Sequence, residues 1–438
     1  MVKKFDNQGK LIIKGDFDEI FIRKVAESIA KELKEENLSP SILIGRNIYE
    51  YFDPFTKFFI NILNHNKIKI VDVGMLPPLA YDYLIKEYSL DAGIILFSNT
   101  NGNKEIKILS NENFIFHNSF IDRINKSMEV IKIDYHAKIN NYPTLHFRTK
   151  QAREKYINHL LELYYTDLTG LKIILNSPNE KIASFAKDIF ETKGAEVVLL
   201  NRTNRVYSKD ISFGLFISED GSKTMFTAQN EGHVFEIKSD NIIAIIANNL
   251  KSKGILHNNV IVTNQMSNPA LINWAKNESI GLCVTGDEES DINLSVDATQ
   301  ASIGGNSSNY IVLNNAKSGD GILTALTVAS IVKESNKTLS ELADIITLVP
   351  HKVFDFFVTS EEMAIMSNVI NKFNNYLRYE NTKVILTPFL DKSIAEFVIW
   401  AENEEIIETI KEELEEFIKT NVIKSNNEKT FILKKTIH

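Results

Sequence analysis

Short apolar stretches alternate with amphipathic helical stretches, and the alternation restarts several times along the chain. No other feature constrains the fold as strongly. An apolar run, a helix of 3.6-residue period and a second apolar run imply parallel strands joined by helical crossovers, with helices covering the sheet. In the first stretch, "GDFDEIFIRKVAESIAKELKEEN" puts Ile20, Phe21, Val25, Ile29 and Leu33 on one helical face, with Asp16 or Asp18 able to cap its start. A strand "SILIG" follows Pro40. A helix is predicted over about Phe52–Leu63, a strand at "KIKIVDVG", a helix after Pro77–Pro78, and a buried strand at Gly93–Phe97. Asn140–Arg148 reads as irregular and Ala152–Tyr165 as a linking helix.

The pattern restarts at "GLKIILN", continues through a helix "NEKIASFAKDIFETKG" ending at Gly194, the strands "AEVVLLN" and "ISFGLFI", and the helix "DNIIAIIANNLKSKG". A further restart comes at "NNVIVTN", followed by a helix over Pro269–Asn277, "GLCV", "NYIVLN" and a helix from Asp320. The last portion differs: "KVILTPF" and "SIAEFVIWA" alternate as half-exposed strands, and "NEEIIETIKEELEEFIKTN" is an acidic amphipathic helix with a solvated face. The expected class is α/β, with three similar domains of mixed, mostly parallel sheets and a smaller C-terminal α+β domain. The expected divisions are 1–150, 151–254, 255–358 and 359–438.

A length of 438 residues exceeds what one hydrophobic core organises, in keeping with several domains. The net charge of −8 argues against nucleic-acid binding, which needs a basic surface. The single cysteine, Cys283, cannot form an internal disulfide; it lies in an apolar stretch and reads as a buried structural thiol. Neither a signal-peptide core nor an apolar run of membrane-spanning length is found, so a cytoplasmic protein without membrane insertion is expected.

Several segments carry a resemblance. "VIVTNQMSNPAL" resembles a T-x-M-S-N segment, and "SIGGNSSNYIVLNNAKSGDGILTALTVASI" a G-G-E-Q-S-G-H segment followed by a G-D-G-initiated helix. "ILIGRN" resembles a V-G-R-D strand end, and "IVDVGMLPPLAYDYLI" a V-x-D-x-G-x-x-P-T-P turn. With these motifs the chain resembles the α-D-phosphohexomutases over nearly its whole length, closest to the phosphoglucosamine mutase group. The resemblance implies a four-domain, heart-shaped fold. It also implies a phosphoserine that exchanges phosphoryl groups with a sugar phosphate, three aspartates holding Mg²⁺, a loop gripping the sugar and an Arg/Ser/Thr loop holding the other phosphate.

Matched residue by residue, each of these sites is altered. Running from Gly93, the nucleophile's place falls on Asn99 and the neighbouring histidine's on Thr100, in a loop about two residues short. Ser98 is one place away and would serve only in a slipped register, and Lys107 matches a lysine able to touch an anion. The metal loop, D-G-D-x-D-R in the family, corresponds to "ISEDGSKTMF". Aligned from its left, the three aspartate positions hold Phe216, Ser218 and Asp220; aligned from its right, Glu219, Gly221 and Lys223. Ser218, Glu219 and Asp220 thus read as a turn before Gly221. In the sugar loop "GGNSSNY", Asn306 replaces the glutamate, Ser308 is retained and Tyr310 stands for the histidine. In the phosphate loop "TPFLDKS", Thr387 replaces the arginine, Phe389 the serine, Leu390 the glycine and Asp391 the threonine. A helix start at Gly319, Asp320 and Gly321 offers backbone donors for an anion, or a simple cap by Asp320.

The expectation is a catalytically inactive relative, a pseudoenzyme of carbohydrate or cell-envelope precursor metabolism that acts as a binding, scaffold or regulatory partner. Its partners would be a second copy through domain I or an active mutase, with neither nucleic acid nor membrane involved and no cofactor required. The alternative is an active phosphohexomutase of divergent site, or a phosphosugar sensor; only then is Mg²⁺ expected.

Overall fold

The computed structural model describes residues 4–6, 9–13, 18–46, 54–98, 103–110, 114–133, 145–200, 210–230, 232–313, 316, 318–357, 360–377, 381–389, 394–422 and 434–435. The chain divides into two compact units. One comprises Met1–Glu236 with Tyr310–Lys337, the other Ile237–Asn309 with Thr338–His438.

The first unit opens with β1 (Lys10–Ile13), α1 (Glu19–Glu36), β2 (Ser41–Arg46), α2 (Pro54–His65), β3 (Lys69–Gly74), α3 (Pro78–Glu87), β4 (Ala92–Ser98), β5 (Lys104–Ser110), α4 (Phe114–Val130) and β6 (Leu145–Phe147). The strands form one sheet in the order β1-β5-β4-β2-β3-β6. The β2–β3, β2–β4 and β3–β6 pairs are parallel, whereas β5 runs antiparallel to both β4 and β1. Helix α1 starts where Asp18 accepts hydrogen bonds from the Ile20 and Phe21 amides, so Asp18 is its cap; Asp16 lies outside the described residues. Val25 and Ile29 of α1, Phe55 and Phe59 of α2, and Ile42, Ile70 and Ile94 of the strands share one buried core. Strand β6 lies inside the stretch read as irregular; three residues are too few to display a period. It is held parallel to β3, with Leu145 opposite Ile70.

The same unit continues with α5 (Thr149–Leu163), β7 (Lys172–Asn176), α6 (Glu180–Thr192), β8 (Glu196–Leu199), β9 (Phe213–Ile217), β10 (Thr224–Asn230) and β11 (His233–Ile237). This sheet has the order β11-β10-β9-β7-β8. Asn179 caps α6 through the Lys181 amide, and Gly194 (φ +94°) turns the chain beyond its end.

The second unit begins with α7 (Ser239–Ser252), β12 (Val260–Asn264), α8 (Pro269–Asn277), β13 (Gly281–Thr285), α9 (Glu289–Thr299) and β14 (Ile303–Gly305). Strand β12 pairs in parallel with β13 and β14, and α7 packs against β14 and α8. Cys283, expected to be buried, is only half-buried, because β13 is an edge strand. The chain then returns to the first unit with β15 (Ile311–Leu313) and α10 (Gly321–Ser335), and re-enters the second with α11 (Leu339–Ala343), β16 (His351–Phe357), α12 (Ser360–Tyr376), β17 (Lys383–Phe389), β18 (Ile394–Trp400), α13 (Glu404–Val422) and β19 (Lys434–Lys435). These strands form an antiparallel sheet, β17-β18-β16-β19. Strand β18 is not half-exposed as its alternation suggested. Ala395, Phe397 and Ile399 face a core with α12 and α13, while Val398 and Trp400 are buried on the other side. Helix α13 buries Ile407, Ile410, Leu414 and Ile418.

Candidate functional site

In the first unit, β9 and β10 pair with Ile217 opposite Thr224, and the turn between them carries the residues matched to the metal loop. The Gly221 amide donates to the Ser218 carbonyl (3.0 Å), and φ of +82° at Gly221 suits glycine. The Asp220 carboxylate accepts from the Ser218 hydroxyl (2.7 Å), the Ser222 hydroxyl (2.8 Å) and the Ser222 amide (3.0 Å). The Ser218 hydroxyl in turn accepts from the Lys223 amide. The Glu219 carbonyl accepts from the Asn179 side chain (3.1 Å), and burial, with Asp220 beside it, raises the Glu219 carboxyl above its ordinary value. Magnesium favours several separate oxygen ligands in an octahedron. Here one carboxylate is ringed by hydrogen-bond donors, and the residues present do not fit that ion. Among the described residues, no group of three or more His, Cys, Asp or Glu side chains could hold a metal.

Helix α10 begins against this turn. The Gly321 amide donates to the Gly221 carbonyl (2.8 Å), and a Cβ at 321 would stand 2.4 Å from the Lys223 carbonyl oxygen. Asp320 is buried and bonded through both oxygens. Oδ1 accepts from the Ile322 and Leu323 amides, each at 2.8 Å, and Oδ2 from the Tyr156 hydroxyl at 3.2 Å. Burial pushes its carboxyl up to about 6, against the pull of these donors. Burial and Asp320 together raise the Tyr156 phenol well above its usual value. The Gly319 amide donates to the Tyr310 hydroxyl at 2.8 Å. The amides of Gly319, Gly321, Ile322 and Leu323 therefore all have internal acceptors. Of the two readings of Gly319, Asp320 and Gly321, the cap by Asp320 is the one these hydrogen bonds describe. Tyr310, at the family's histidine position, is 2% exposed and fixed to Gly319.

Elsewhere in this unit, Arg46 donates from Nε to Asp72 Oδ2 (2.9 Å), and the fully buried Asp72 also accepts from the Gly74 amide. Ser98 ends β4 opposite Lys104, and Lys107 lies on β5 between Ile95 and Lys10. Asn99 and Thr100 lie outside the described residues.

In the second unit, Asn306 is buried, and its side-chain oxygen accepts from the Ser308 amide (3.0 Å). Its carbonyl accepts from the Ser239 hydroxyl (2.6 Å), which ties the loop to the first residue of α7. Ser308 is exposed. On β17, Thr387 pairs with Glu396 and Phe389 with Ile394; Asp391 lies outside the described residues.

Sequence reasoning missed one polar cluster here. At the end of β12, Asn264 donates to Asp287 (3.1 Å), the Ser267 hydroxyl bonds Asn264 Oδ1, and Asn268 caps α8 through the Ala270 amide. The Asn268 amide donates to Asp240 Oδ2 (3.3 Å), and Lys383 Nζ donates to the Gln265 carbonyl. Burial pushes the Asp240 carboxyl up to about 6 and lowers the Lys383 amine. The "SNP" cap was readable; the approach of Asp240 and Lys383 joins segments far apart in sequence and had no local signal.

Two family models match the chain: phosphoglucomutase/phosphomannomutase alpha/beta/alpha domain I over residues 3–133, and domain III over residues 238–349. The chain is 28% identical over 348 residues to a phosphoglucosamine mutase of Caldicellulosiruptor saccharolyticus, covering 73% of this chain and 75% of that one. It is 26% identical over 417 residues to that of Clostridium acetobutylicum, covering 88% and 92%. Among solved structures, a phosphoglucomutase/phosphomannomutase family protein of Burkholderia thailandensis superposes with a TM-score of 0.72 at 13% identity, over 97% of this chain and 98% of that one. Aspergillus fumigatus N-acetylphosphoglucosamine mutase in complex with GlcNAc-6P and magnesium gives 0.53 at 12% identity, over 91% and 96%.

Proposed function

We propose a non-catalytic binding role for this chain, which belongs to the α-D-phosphohexomutase superfamily and is phosphoglucosamine mutase-like. The observation that carries the reading is the Ser218–Lys223 turn. Its one exposed carboxylate, Asp220, is committed to Ser218 and Ser222, where the family resemblance calls for three converging aspartates. Two other features support it. Tyr310 is built into the packing of α10 instead of being presented to a sugar, and Asn99 replaces the nucleophile in the ungapped register. Loss of a nucleophile costs on the order of 10³–10⁶ in rate, and loss of the metal removes several kcal/mol of charge stabilisation. A binding role needs a folded surface and not an intact catalytic site. The proposed partner is a second copy through the first domain or an active mutase.

The test is a coupled assay with glucosamine, glucose and mannose phosphates, primed with a hexose bisphosphate in millimolar Mg²⁺. No turnover is expected, and glucosamine 6-phosphate at a few millimolar should leave the melting temperature unchanged, since a ligand that does not bind contributes no linkage. Turnover that disappears in Ser98→Ala would overturn the reading in favour of an active enzyme with a slipped register. Size-exclusion chromatography, alone and mixed with an active phosphoglucosamine mutase, tests the partner; a strictly monomeric chain in both runs would remove it.

A further inference from the structure

The polar cluster of the second unit holds the loop 264–268 against the C-terminal sheet. Met266 packs against the buried cluster of Ile385, Val398 and Trp400. Lys383, beside Trp400 on the neighbouring strand, donates to the Gln265 carbonyl and stands 5.9 Å from the Trp400 ring centroid. His351 stacks on Trp400 from the third strand at 5.6 Å. Behind the loop, Asp240 is only 6% exposed. Its Oδ2 holds the Asn268 amide, but its Oδ1 is buried without a hydrogen-bond partner. A buried ionised carboxylate with an unbonded oxygen is a costly arrangement. It is relieved by a proton or by opening of the contact to water.

We propose that Asp240 and Lys383 form a proton-responsive latch between the loop 264–268 and the C-terminal sheet, and that protonating Asp240 tightens it. The sign follows from linkage. In the closed contact, burial holds the Asp240 carboxyl at about 6, with the Asn268 amide, Ser267 and Lys383 pulling it down. In an opened contact it returns towards its ordinary value near 3.8. The closed form therefore binds the proton more tightly, and acid favours closing. Between pH 7 and pH 5 the ratio of closed to open rises by about tenfold. The other ionisable groups in the neighbourhood are Lys238 at the start of α7, Asp287 in the β13–α9 connection, Asp291 in the first turn of α9, Lys383 on β17 and His351 on β16. His351 is kept below its ordinary value by burial and by Lys238, so its titration has to be separated from that of Asp240. The latch does not depend on whether the chain turns over sugar phosphates.

The chain has two tryptophans, so Trp274→Phe leaves Trp400 as the sole indole of the full-length protein. Acrylamide quenching of Trp400 then reads the open fraction. Quenching is expected to fall as the pH is lowered from 7 to 5, with a midpoint near 6. Asp240→Asn should abolish that dependence, and His351→Gln should retain it. Lys383→Met should move the midpoint upward, because ionised Asp240 loses its counter-charge. Quenching that does not change between pH 7 and 5, a transition that survives Asp240→Asn, or one that vanishes in His351→Gln overturns the latch. If Asp240→Asn fails to fold, the Lys383→Met midpoint decides, and a midpoint that stays put or moves down overturns it.

Discussion

Asp320 and Asp240 sit at the start of helices in different units, are both buried, and are both pushed up to about 6 with burial as the leading cause. Their hydrogen bonding differs. Asp320 uses Oδ1 for two helix amides and Oδ2 for Tyr156, so both of its oxygens have partners within the fold. Asp240 has a long bond from the Asn268 amide, a weaker pull from the Ser267 side chain, and an orphaned Oδ1. Residue type, burial and pKa direction are therefore shared by a fixed cap and a poised group. The number of oxygens with partners separates the two roles.

The largest expected effect tests the fixed member. Asp320→Ala removes a helix cap worth about 1 kcal/mol and leaves the buried Tyr156 hydroxyl without its acceptor, a further penalty of roughly 1–3 kcal/mol. Urea unfolding should show a loss of about 2–4 kcal/mol, and Asp320→Asn, which keeps the cap acceptor, should recover most of it. If Asp320→Ala costs no more than Asp240→Ala, the contrast between the two fails. Gly321→Ala comes next. The new Cβ would meet the Lys223 backbone carbonyl at 2.4 Å, and backbone cannot swing aside as a side chain can. A loss of roughly 1–3 kcal/mol is expected from the overpacking, read as a fall in the urea midpoint.

A third test uses pH. Both carboxyls bind a proton more tightly in the folded chain than in the unfolded one, so each stabilises the fold at low pH. That contribution is lost as pH rises from about 4 through about 6 and is absent above. The slope from one such group is at most about 1.4 kcal/mol per pH unit. Asp320→Asn should remove its share from unfolding of the first unit, and an unchanged slope would contradict the assignment.

How much of this was legible in the sequence depends on the range of the interaction. The caps at Asp18 and Asp320 were readable because an N-cap acts on amides two and three residues ahead. The Ser218–Lys223 turn was readable for the same reason: Asp220 and Gly221 act locally. Strand β6 was too short to show a period. The anchoring of Tyr310 to Gly319, and of Asp240 near Lys383, depends on tertiary placement that no spacing rule reveals. The family motif G-D-G drew attention to an anion, but its glycines serve close approach, Gly319 to the Tyr310 ring and Gly321 to the Lys223 carbonyl.

The smallest expected effect falls on Asp220, the exposed counterpart of both buried carboxylates. Its three hydrogen-bond donors all lie within two positions, and the carboxylate they hold is exposed to water. Asp220→Ala should therefore cost the first unit about 1 kcal/mol or less, well below Asp320→Ala. Ser222→Ala should cost less still, since the Ser218 hydroxyl and the 222 amide continue to hold the carboxylate. The diagnostic comparison is made in Mg²⁺. A metal ligand would show a melting shift that rises with millimolar Mg²⁺ in the parent and is lost in Asp220→Ala. A turn residue gives parent and variant curves separated by the same small interval with and without the ion. Equal separation is the outcome this geometry demands, because a cation at Asp220 would have to displace the Ser218 and Ser222 donors and would find no second aspartate at the alternate positions of the turn. An ion-dependent separation would instead mean that the turn reorganises into a metal site, and the non-catalytic reading of the first unit would fall with it.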